Sequence, residues 1–271
     1  MAFHTPHCYD VWLYGIVPRT MNMLEKSVNG IIIECISESI LLQNEADMGN
    51  YEEVKQQVTT LCHTLVEKGY LMGTGGNVSV RIPGEDAFAI TPSNYDYTIM
   101  TPADICVLRY NLTVLEGERK PSIESALHAA IYENRLDTNC VIHTHQLYAS
   151  AFALTRMPIP ALYDEQARFL GKSVEIIDYA PSGTGFLKRN VIAKLRNHCN
   201  AYILQNHGAL CLGPDPHRTM FNVQLLEKCA VTYLLAICTE KKVSRVPLPF
   251  REVAFAMLRK DQKKLENANK H

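Results

Sequence analysis

The sequence has no excess of basic charge. Lys and Arg together number 27 against 28 Asp and Glu in 271 residues, so the formal net charge at pH 7 is −1. Because nucleic acids and anionic membrane surfaces attract proteins through clustered basic residues, we expect neither as the main partner. Hydrophobic residues make up 47% of the chain and charged residues 20%, which is typical of a folded protein with a substantial core.

A disulfide framework and a membrane span are also missing from the sequence. Its nine cysteines extend from Cys8 to Cys238 without a Cys-x-x-Cys pair, a pattern typical of small buried side chains in a reducing compartment. The longest apolar run, residues 30–42, is interrupted by Glu34 and Glu38 and is shorter than the ~18–20 residues that a span needs. No basic segment precedes this run, so we expect a cytoplasmic protein without a signal peptide or anchor.

The chain divides into an extension and one ordered domain. Residues 1–47 hold no recognisable motif, and three roles stay open for them: packing on the body, an oligomer contact, or a stretch upstream of a natural start at Met48. In residues 48–271, helical and strand patterns interleave, and several strands are joined by short turns. This pattern predicts an α/β sandwich on a mainly antiparallel or mixed sheet, in preference to a doubly wound parallel sheet.

Two local predictions concern helix ends. Ser122 is expected to open a helix, because serine is a favourable N-cap, with Ile123 and the apolar residues that follow on the buried face. The polar and charged tail, residues 259–271, is expected to fray, as chain ends often do.

Three histidines are the first candidates for chemistry. His143 and His145 lie at alternate positions at the end of a predicted strand, so both side chains leave the same face. His207 follows another predicted strand, residues 201–205. Three neutral imidazoles with one open position form a catalytic zinc pattern. Surface or hydrogen-bonded histidines are the alternative, and the spacing alone does not decide between the two.

Glu124 is the candidate general base. It lies in the first turn of the helix predicted after Ser122, where the helix dipole favours the ionised carboxylate. A carboxylate beside a metal can accept and return a proton, whereas the alternative is an acidic residue that caps the helix. His128, one turn later on the same face, is interpreted as a structural histidine or one that supports the site.

A glycine-rich loop is the candidate phosphate site. Residues 73–79 read Gly-Thr-Gly-Gly-Asn-Val-Ser, and glycines allow backbone N–H groups to turn toward an anion. Thr91-Pro92-Ser93-Asn94 and Pro121-Ser122 would add uncharged donors. The loop matches neither common nucleotide-binding glycine motif, because a strand follows it. A plain turn is the alternative.

Taken in order, five motifs resemble the class II aldolase/adducin superfamily, and in particular its L-fuculose-phosphate aldolase branch. The motifs are Gly73-Thr74-Gly75-Gly76-Asn77-Val78-Ser79, Ile90-Thr91-Pro92-Ser93, Lys120-Pro121-Ser122-Ile123-Glu124, His143-Thr144-His145 and Asn206-His207-Gly208. The resemblance covers roughly residues 50–240. It implies an α/β/α sandwich about a central, mainly antiparallel sheet, with residues 48–271 as the catalytic domain. It also implies a homotetramer with active sites near subunit interfaces.

The resemblance further implies a set of site residues and a reaction. One zinc ion per subunit would be bound by His143, His145 and His207, with Glu124 as the catalytic acid/base. The phosphate would be bound by Gly76, Asn77, Ser93 and Ser122. The substrate would be a small sugar phosphate, a ketose 1-phosphate of the fuculose or deoxyribulose kind, cleaved to dihydroxyacetone phosphate and an aldehyde. The metal would act as a Lewis acid while Glu124 moves the proton.

Three positions depart from the pattern of that branch. Ile123 stands where related phosphate sites often have a second serine, and Asn94 stands where they have a glycine, which changes one backbone option. The fuculose enzyme has a catalytic tyrosine whose position, counted from His145, falls on Asp164, one residue after Tyr163. The role of that tyrosine is assigned to neither residue.

The same scaffold hosts other activities. Sugar-phosphate 4-epimerases usually have Asp where this chain has Glu124, which favours the aldolase interpretation. Decarboxylases of 3-oxo-tetronate phosphates and methylthioribulose-phosphate dehydratases are further alternatives, although the glycine loop of the dehydratases differs more. Adducin-like interaction proteins lack the histidine set, which is complete here.

Overall fold

A computed structural model describes residues 51–270 of the chain. The predictions for residues 1–47 and for a start at Met48 therefore lie outside the described residues. Residues 50–271 form one compact unit.

The described part contains seven α-helices and nine strands, with a short 3-10 helix at Pro102–Asp104. The helices are α1 (51–67), α2 (Ser125–Asn134), α3 (Leu147–Thr155), α4 (Asp164–Phe169), α5 (Gly185–Leu195), α6 (Pro216–Ile237) and α7 (Leu248–Ala268). The strands are β1 (Asn77–Arg81), β2 (Ala87–Ile90), β3 (Cys106–Arg109), β4 (Val114–Glu116), β5 (Cys140–Thr144), β6 (Ile159–Pro160), β7 (Ser173–Ile177), β8 (Ala201–Leu204) and β9 (Gly208–Gly213).

The nine strands form one mixed sheet in the order β4-β3-β2-β1-β5-β9-β8-β7-β6. Every neighbouring pair is antiparallel except β7 and β8, which are parallel. The predicted mainly antiparallel or mixed sheet is therefore confirmed. The pairing places β5 at the centre, with Asn77 of β1 opposite His143 and Ala209 of β9 opposite Thr144.

Two apolar clusters lie on opposite faces of this sheet, as the alternation of side chains along a strand requires. In β5, Ile142 belongs to the cluster that contains residues of α1, α3 and α6, whereas Val141 belongs to the cluster that contains residues of α2 and α5. Helices therefore cover both faces, and the predicted α/β/α sandwich is confirmed.

The helix that carries Glu124 begins later than the sequence predicts. α2 starts at Ser125, and Glu124 occupies the N-cap position. The N–H of Ser122 donates to the carbonyl of Thr91 (3.2 Å), which holds this segment beside β2, and the helix begins only three residues later. Ile123, predicted on the buried face, is 57% exposed and lines a surface cavity.

The predicted frayed tail is wrong, because most of it belongs to α7. Leu258 and Gln262 lie one helical turn apart and are buried. The Nε2 atom of Gln262 donates to the carbonyl of His198 (3.1 Å) and to Oδ1 of Asn200 (3.0 Å). These contacts attach the C-terminal helix to the loop before β8.

Among the described helices, only α6 has the length and apolar content of a membrane span, with a mean hydropathy of 1.2 over 18 residues. Half of that window is buried inside the protein. Its buried residues Val223, Leu226 and Ala230 belong to the same cluster as Ile142 of β5, as expected of a core helix.

Candidate active site

The end of one strand and the turn between two others bring the predicted histidines together at one end of the sheet. His143 is in β5, His145 follows it, and His207 lies in the tight turn between β8 and β9. The Nε2 atom of His143 is 3.1 Å from that of His207 and 3.3 Å from that of His145. One potential ligand atom from each ring lies within 4.8 Å of the others, an arrangement that could hold a metal ion.

The histidines are held in the protonation state that a metal requires. Nδ1 of His143 donates to the carbonyl of Ala209 (2.8 Å), which leaves the lone pair on Nε2. Burial lowers the pKa of His143 and His145, and burial with the neighbouring His143 lowers the pKa of His207 to about 4. All three rings are therefore neutral at neutral pH, the state in which an imidazole can bind a metal.

Two glycines give the histidines room. A Cβ at position 208 would lie 2.4 Å from the carbonyl oxygen of Thr144 and 2.6 Å from Cδ2 of His145. Gly76 has φ +84°, and a Cβ there would lie 2.6 Å from the carbonyl oxygen of His143. Only glycine allows these backbones to approach so closely, which explains why both motifs have glycine at these positions.

Glu124 is buried beside the histidines. Its Oε2 atom accepts a hydrogen bond from Nδ2 of Asn77 (2.8 Å) and lies 3.6 Å from Nε2 of His143. Its Oε1 atom lies 3.9 Å from Nε2 of His207 and has no hydrogen-bond partner in the described residues. Burial by itself would raise the pKa of this carboxyl, but His143, the Asn77 hydrogen bond and His207 outweigh burial and lower it. The group is a carboxylate at neutral pH.

A cavity of about 270 Å³ contains all eight predicted site residues. Its lining residues are Thr74, Gly75, Gly76, Asn77, Pro92, Ser93, Asn94, Ser122, Ile123, Glu124, His143, His145, Ser182 and His207. No Lys or Arg is among these described lining residues, so the donors that this chain offers to an anion are uncharged.

The predicted phosphate residues differ in what they can donate. The N–H of Ser93 donates to the carbonyl of Lys120 (2.8 Å), and that of Ser122 is also bonded to backbone, so their hydroxyls remain as donors. The side chain of Asn77 already uses its oxygen with His128 and one N–H with Glu124. Asn94 adopts φ +54°, a left-handed backbone conformation that asparagine tolerates better than most side chains.

The sequence reasoning missed Ser182. Its Oγ atom is 3.3 Å from Nε2 of His207, and it lies in the loop before α5. The signal was the Pro-Ser-Gly-Thr-Gly segment at residues 181–185, which resembles the other donor loops. Neither Tyr163 nor Asp164 lines this cavity in the described chain.

The sequence profile of the "Class II Aldolase and Adducin N-terminal domain" matches residues 56–234. The chain belongs to the class II aldolase/adducin family. It is 32% identical over 187 residues to the L-fuculose phosphate aldolase of Methanocaldococcus jannaschii, a match that covers 69% of this chain and 99% of that protein. It is 31% identical over 183 residues to the 5-deoxy-D-ribulose 1-phosphate aldolase of Bacillus thuringiensis serovar kurstaki, covering 67% and 84% of the two chains.

A solved structure agrees with this family assignment. An L-fuculose 1-phosphate aldolase structure superposes with a TM-score of 0.72 at 33% identity, covering 76% of this chain and 96% of that one. The predicted resemblance to the fuculose-phosphate aldolase branch is confirmed, as is the class of the enzyme: class II aldolases are carbon–carbon lyases.

Proposed function

We propose that the protein is a zinc-dependent aldolase that cleaves a ketose 1-phosphate to dihydroxyacetone phosphate and an aldehyde. The observation that carries the proposal is the geometry around Glu124. Its unpaired Oε1 atom lies 3.9 Å from Nε2 of His207, in a cavity whose other wall offers glycine backbone and serine hydroxyls. The relatives named for sugar-phosphate aldolases support the same reaction class.

The three histidines fit a divalent metal. They supply three neutral nitrogen donors at close range, and the unpaired, buried Glu124 Oε1 lies on the same side of the cavity. Zinc is the ion for which a three-histidine set with an open position is typical. When bound, such an ion would draw electron density from substrate oxygens and stabilise the negative charge that develops as the carbon–carbon bond breaks.

Glu124 would hold and return the proton. Cleavage between C3 and C4 leaves the electron pair on C3, the C4 hydroxyl loses its proton as the aldehyde forms, and C3 gains a proton. The carboxylate has no hydrogen in its ionised state, so Oε1 can accept a proton and then donate it to carbon. Because Oε2 already accepts a hydrogen bond from Asn77 and Oε1 has no partner in the described residues, Oε1 would be the oxygen that exchanges the proton.

The phosphate would be bound by the hydroxyls of Ser93 and Ser122 and by the backbone at Gly76 and Asn77. All four residues line the cavity. Uncharged donors can hold an anion when several N–H and O–H groups converge on it. Ile123 lines the same cavity without contributing a hydroxyl.

The test is a coupled assay for dihydroxyacetone phosphate, run on zinc-loaded and chelator-stripped protein. The panel contains the 1-phosphates of fuculose, rhamnulose, ribulose and 5-deoxyribulose. Zinc-dependent release from one of them is expected. If protein with stoichiometric zinc releases none, the aldolase proposal is wrong, and the 4-epimerase or the 3-oxo-tetronate-phosphate decarboxylase becomes the better interpretation.

We also propose that residues 48–271 are the catalytic domain and that residues 1–47 are an extension outside the chemistry. The family match at residues 56–234 and the compact unit at 50–271 support this division. A chain that starts at Met48 should retain kcat. A folded but inactive truncation would show that the extension takes part in the site.

We also propose that the protein is a homotetramer and that it is located in the cytoplasm. Ile123, Tyr179 and Phe186 are apolar side chains more than half exposed, on or near the loops that border the cavity, as expected of a surface that packs against another subunit. The seven described cysteines are free thiols, which suits a reducing compartment. Sedimentation velocity and cell fractionation test the two points separately.

A further inference from the structure

Four consecutive buried hydrogen bonds lead away from Glu124 into the core. Asn77 Nδ2 lies 2.8 Å from Glu124 Oε2, and Asn77 Oδ1 lies 2.5 Å from His128 Nε2. His128 Nδ1 lies 2.6 Å from Ser79 Oγ, which lies 2.7 Å from the hydroxyl of Tyr132. All five residues are at most 5% exposed. We call Asn77, His128, Ser79 and Tyr132 the His128 chain.

The periodicities of a strand and a helix produce this arrangement. Asn77 and Ser79 are two residues apart in β1 and therefore leave the same face. Glu124, His128 and Tyr132 are spaced by four residues from the N-cap of α2 onward and therefore share one side of the helix. The strand face and the helix side interdigitate, so each polar group contacts the next.

The carboxylate determines the direction of every hydrogen bond in the His128 chain. Ionised Glu124 only accepts, so Asn77 must present its amide N–H to it and its oxygen to His128. His128 must then donate from Nε2 and, being neutral, accept at Nδ1. Ser79 has one hydroxyl hydrogen, which goes to His128, so Tyr132 must donate to Ser79. Each bond admits one direction only.

His128 and Tyr132 are both held firmly by their surroundings. His128 is fully buried, and burial lowers its pKa to about 3, so the ring stays neutral with a single N–H. The guanidinium of Arg81 lies 4.9 Å from the ring centroid of Tyr132, and its Nη2 atom donates to the carbonyl of the same residue (2.9 Å). Phe88 packs on Tyr132 with ring centroids 5.6 Å apart.

We infer that His128 is a positioning residue: through Asn77 it fixes the Glu124 carboxylate so that Oε2 is restrained and Oε1 exchanges the proton with the substrate. The inference rests on the proposed aldolase reaction. Without the donor at His128, the Asn77 amide is free to rotate and to turn its oxygen toward the carboxylate, which would release Glu124 from its position.

Variants of His128 test this inference. His128→Leu removes the donor, whereas His128→Gln keeps an N–H near the position of Nε2. In zinc-loaded protein, kcat of His128→Leu should fall about 10- to 100-fold, with KM and zinc content unchanged, and His128→Gln should recover much of the loss. An unchanged kcat in folded His128→Leu, a change confined to KM, or loss of zinc would each overturn the inference.

Tyr132→Phe covers the case in which His128→Leu does not fold. It removes the last donor of the His128 chain, and kcat should fall a few-fold. Tyr202→Phe is the matched control, because Tyr202 is equally buried and its hydroxyl bonds to Asn197 (2.7 Å) away from Glu124. If both variants lower kcat equally, the effect is general loss of packing and the inference is wrong.

A spectroscopic measurement is independent of turnover. In metal-free protein labelled with ¹⁵N-histidine, His128 should give the NMR signals of the Nε2–H tautomer, and the Nδ1–H tautomer would contradict the directions derived above. If the wild-type protein cleaves no ketose 1-phosphate, the proposed function fails. The tautomer still reports whether the His128 chain exists as described.

Discussion

Two buried polar clusters in the described residues differ in how completely their side-chain polar atoms are paired. The buried side-chain polar atoms of Arg135, Asp137, Asn200 and Gln262 are all paired within the described residues. The guanidinium donates to Asp137 (2.7 and 2.8 Å), to Asn200 (2.8 Å) and to the carbonyl of Cys199 (2.8 Å), and Gln262 donates to Asn200. Around Glu124, by contrast, Oε1 is buried without a partner.

The difference separates stabilising polar groups from reactive ones. The paired cluster fixes the C-terminal end of α2, the start of β8 and the middle of α7 relative to one another, and it leaves no atom free for chemistry. An unpaired carboxylate oxygen is unfavourable for folding, and that of Glu124 belongs to a residue that lines the cavity, where a substrate or a metal could complete it. Four variants examine this comparison, in order of expected effect.

Glu124→Gln should lower kcat about 10²- to 10⁴-fold, because the amide cannot accept and return a proton. Zinc content should be retained, since the three histidines supply the ligands. The free energy of unfolding should stay the same or rise, because the variant removes a buried charge. Turnover, zinc content and urea unfolding measure the three quantities. An unimpaired enzyme would exclude Glu124 as the acid/base.

Asp137→Ala should lower the free energy of unfolding by about 3–5 kcal/mol, because it leaves the buried Arg135 guanidinium without its counter-charge. At a temperature where the variant is folded, kcat should equal that of the wild type. Arg156 and Asp178 form the matched exposed pair (2.9 Å), and Asp178→Ala should change stability little. A lower kcat in folded Asp137→Ala would contradict the separation of the two clusters.

Gly208→Ala should weaken zinc binding about 10- to 100-fold, because the new Cβ must displace Thr144 or His145. Isothermal titration with zinc measures this change. Gly185→Ala is the control, since a Cβ at that position meets no atom within 4 Å. Equal zinc affinity in both variants would show that the histidine cluster does not depend on the close approach at Gly208.

His128→Gln should make the metal-free protein less sensitive to mild acid. The pKa of His128 falls from 6.5 to about 3 on folding, so the unfolded state binds the proton first. Its contribution to stability is complete above pH 6.5 and is lost as the pH falls toward 3. Asp137, with a lowered pKa, loses its contribution only below about pH 4. Urea unfolding at intervals from pH 7 to 4 should give a shallower slope for the variant, and parallel slopes would contradict this assignment.

Much of the site could be predicted because its residues lie in short motifs at strand ends. His143, His145 and His207 were found from the spacing and the apolar segments before them, and the cavity contains all eight predicted residues. The start of α2 was misplaced because an N-cap rule uses local sequence, whereas the bond from Ser122 to Thr91 is long-range. The same limit explains why residues 259–271 were predicted to fray. Only two residues of α7, Leu258 and Gln262, are buried, so the local sequence gives little sign of a packed helix.

Other features could not be derived from spacing along the chain. The Arg135 cluster joins residues 135, 200 and 262, and no motif links such distant positions. The His128 chain forms only if β1 and α2 face each other. The spacings of two residues in the strand and four in the helix are compatible with that packing, but they do not predict it. Ser182 was missed because its loop has no partner motif nearby.

The described residues that line the cavity include no Lys or Arg. This absence affects the order in which ligands would bind. With Glu124 ionised, the lining that the described residues of one chain supply carries a negative charge, which would disfavour a phosphate ester and favour a divalent cation. Binding of cation and binding of sugar phosphate are then thermodynamically linked, and each raises the affinity for the other. The protein would thereby keep phosphorylated metabolites out of unloaded sites.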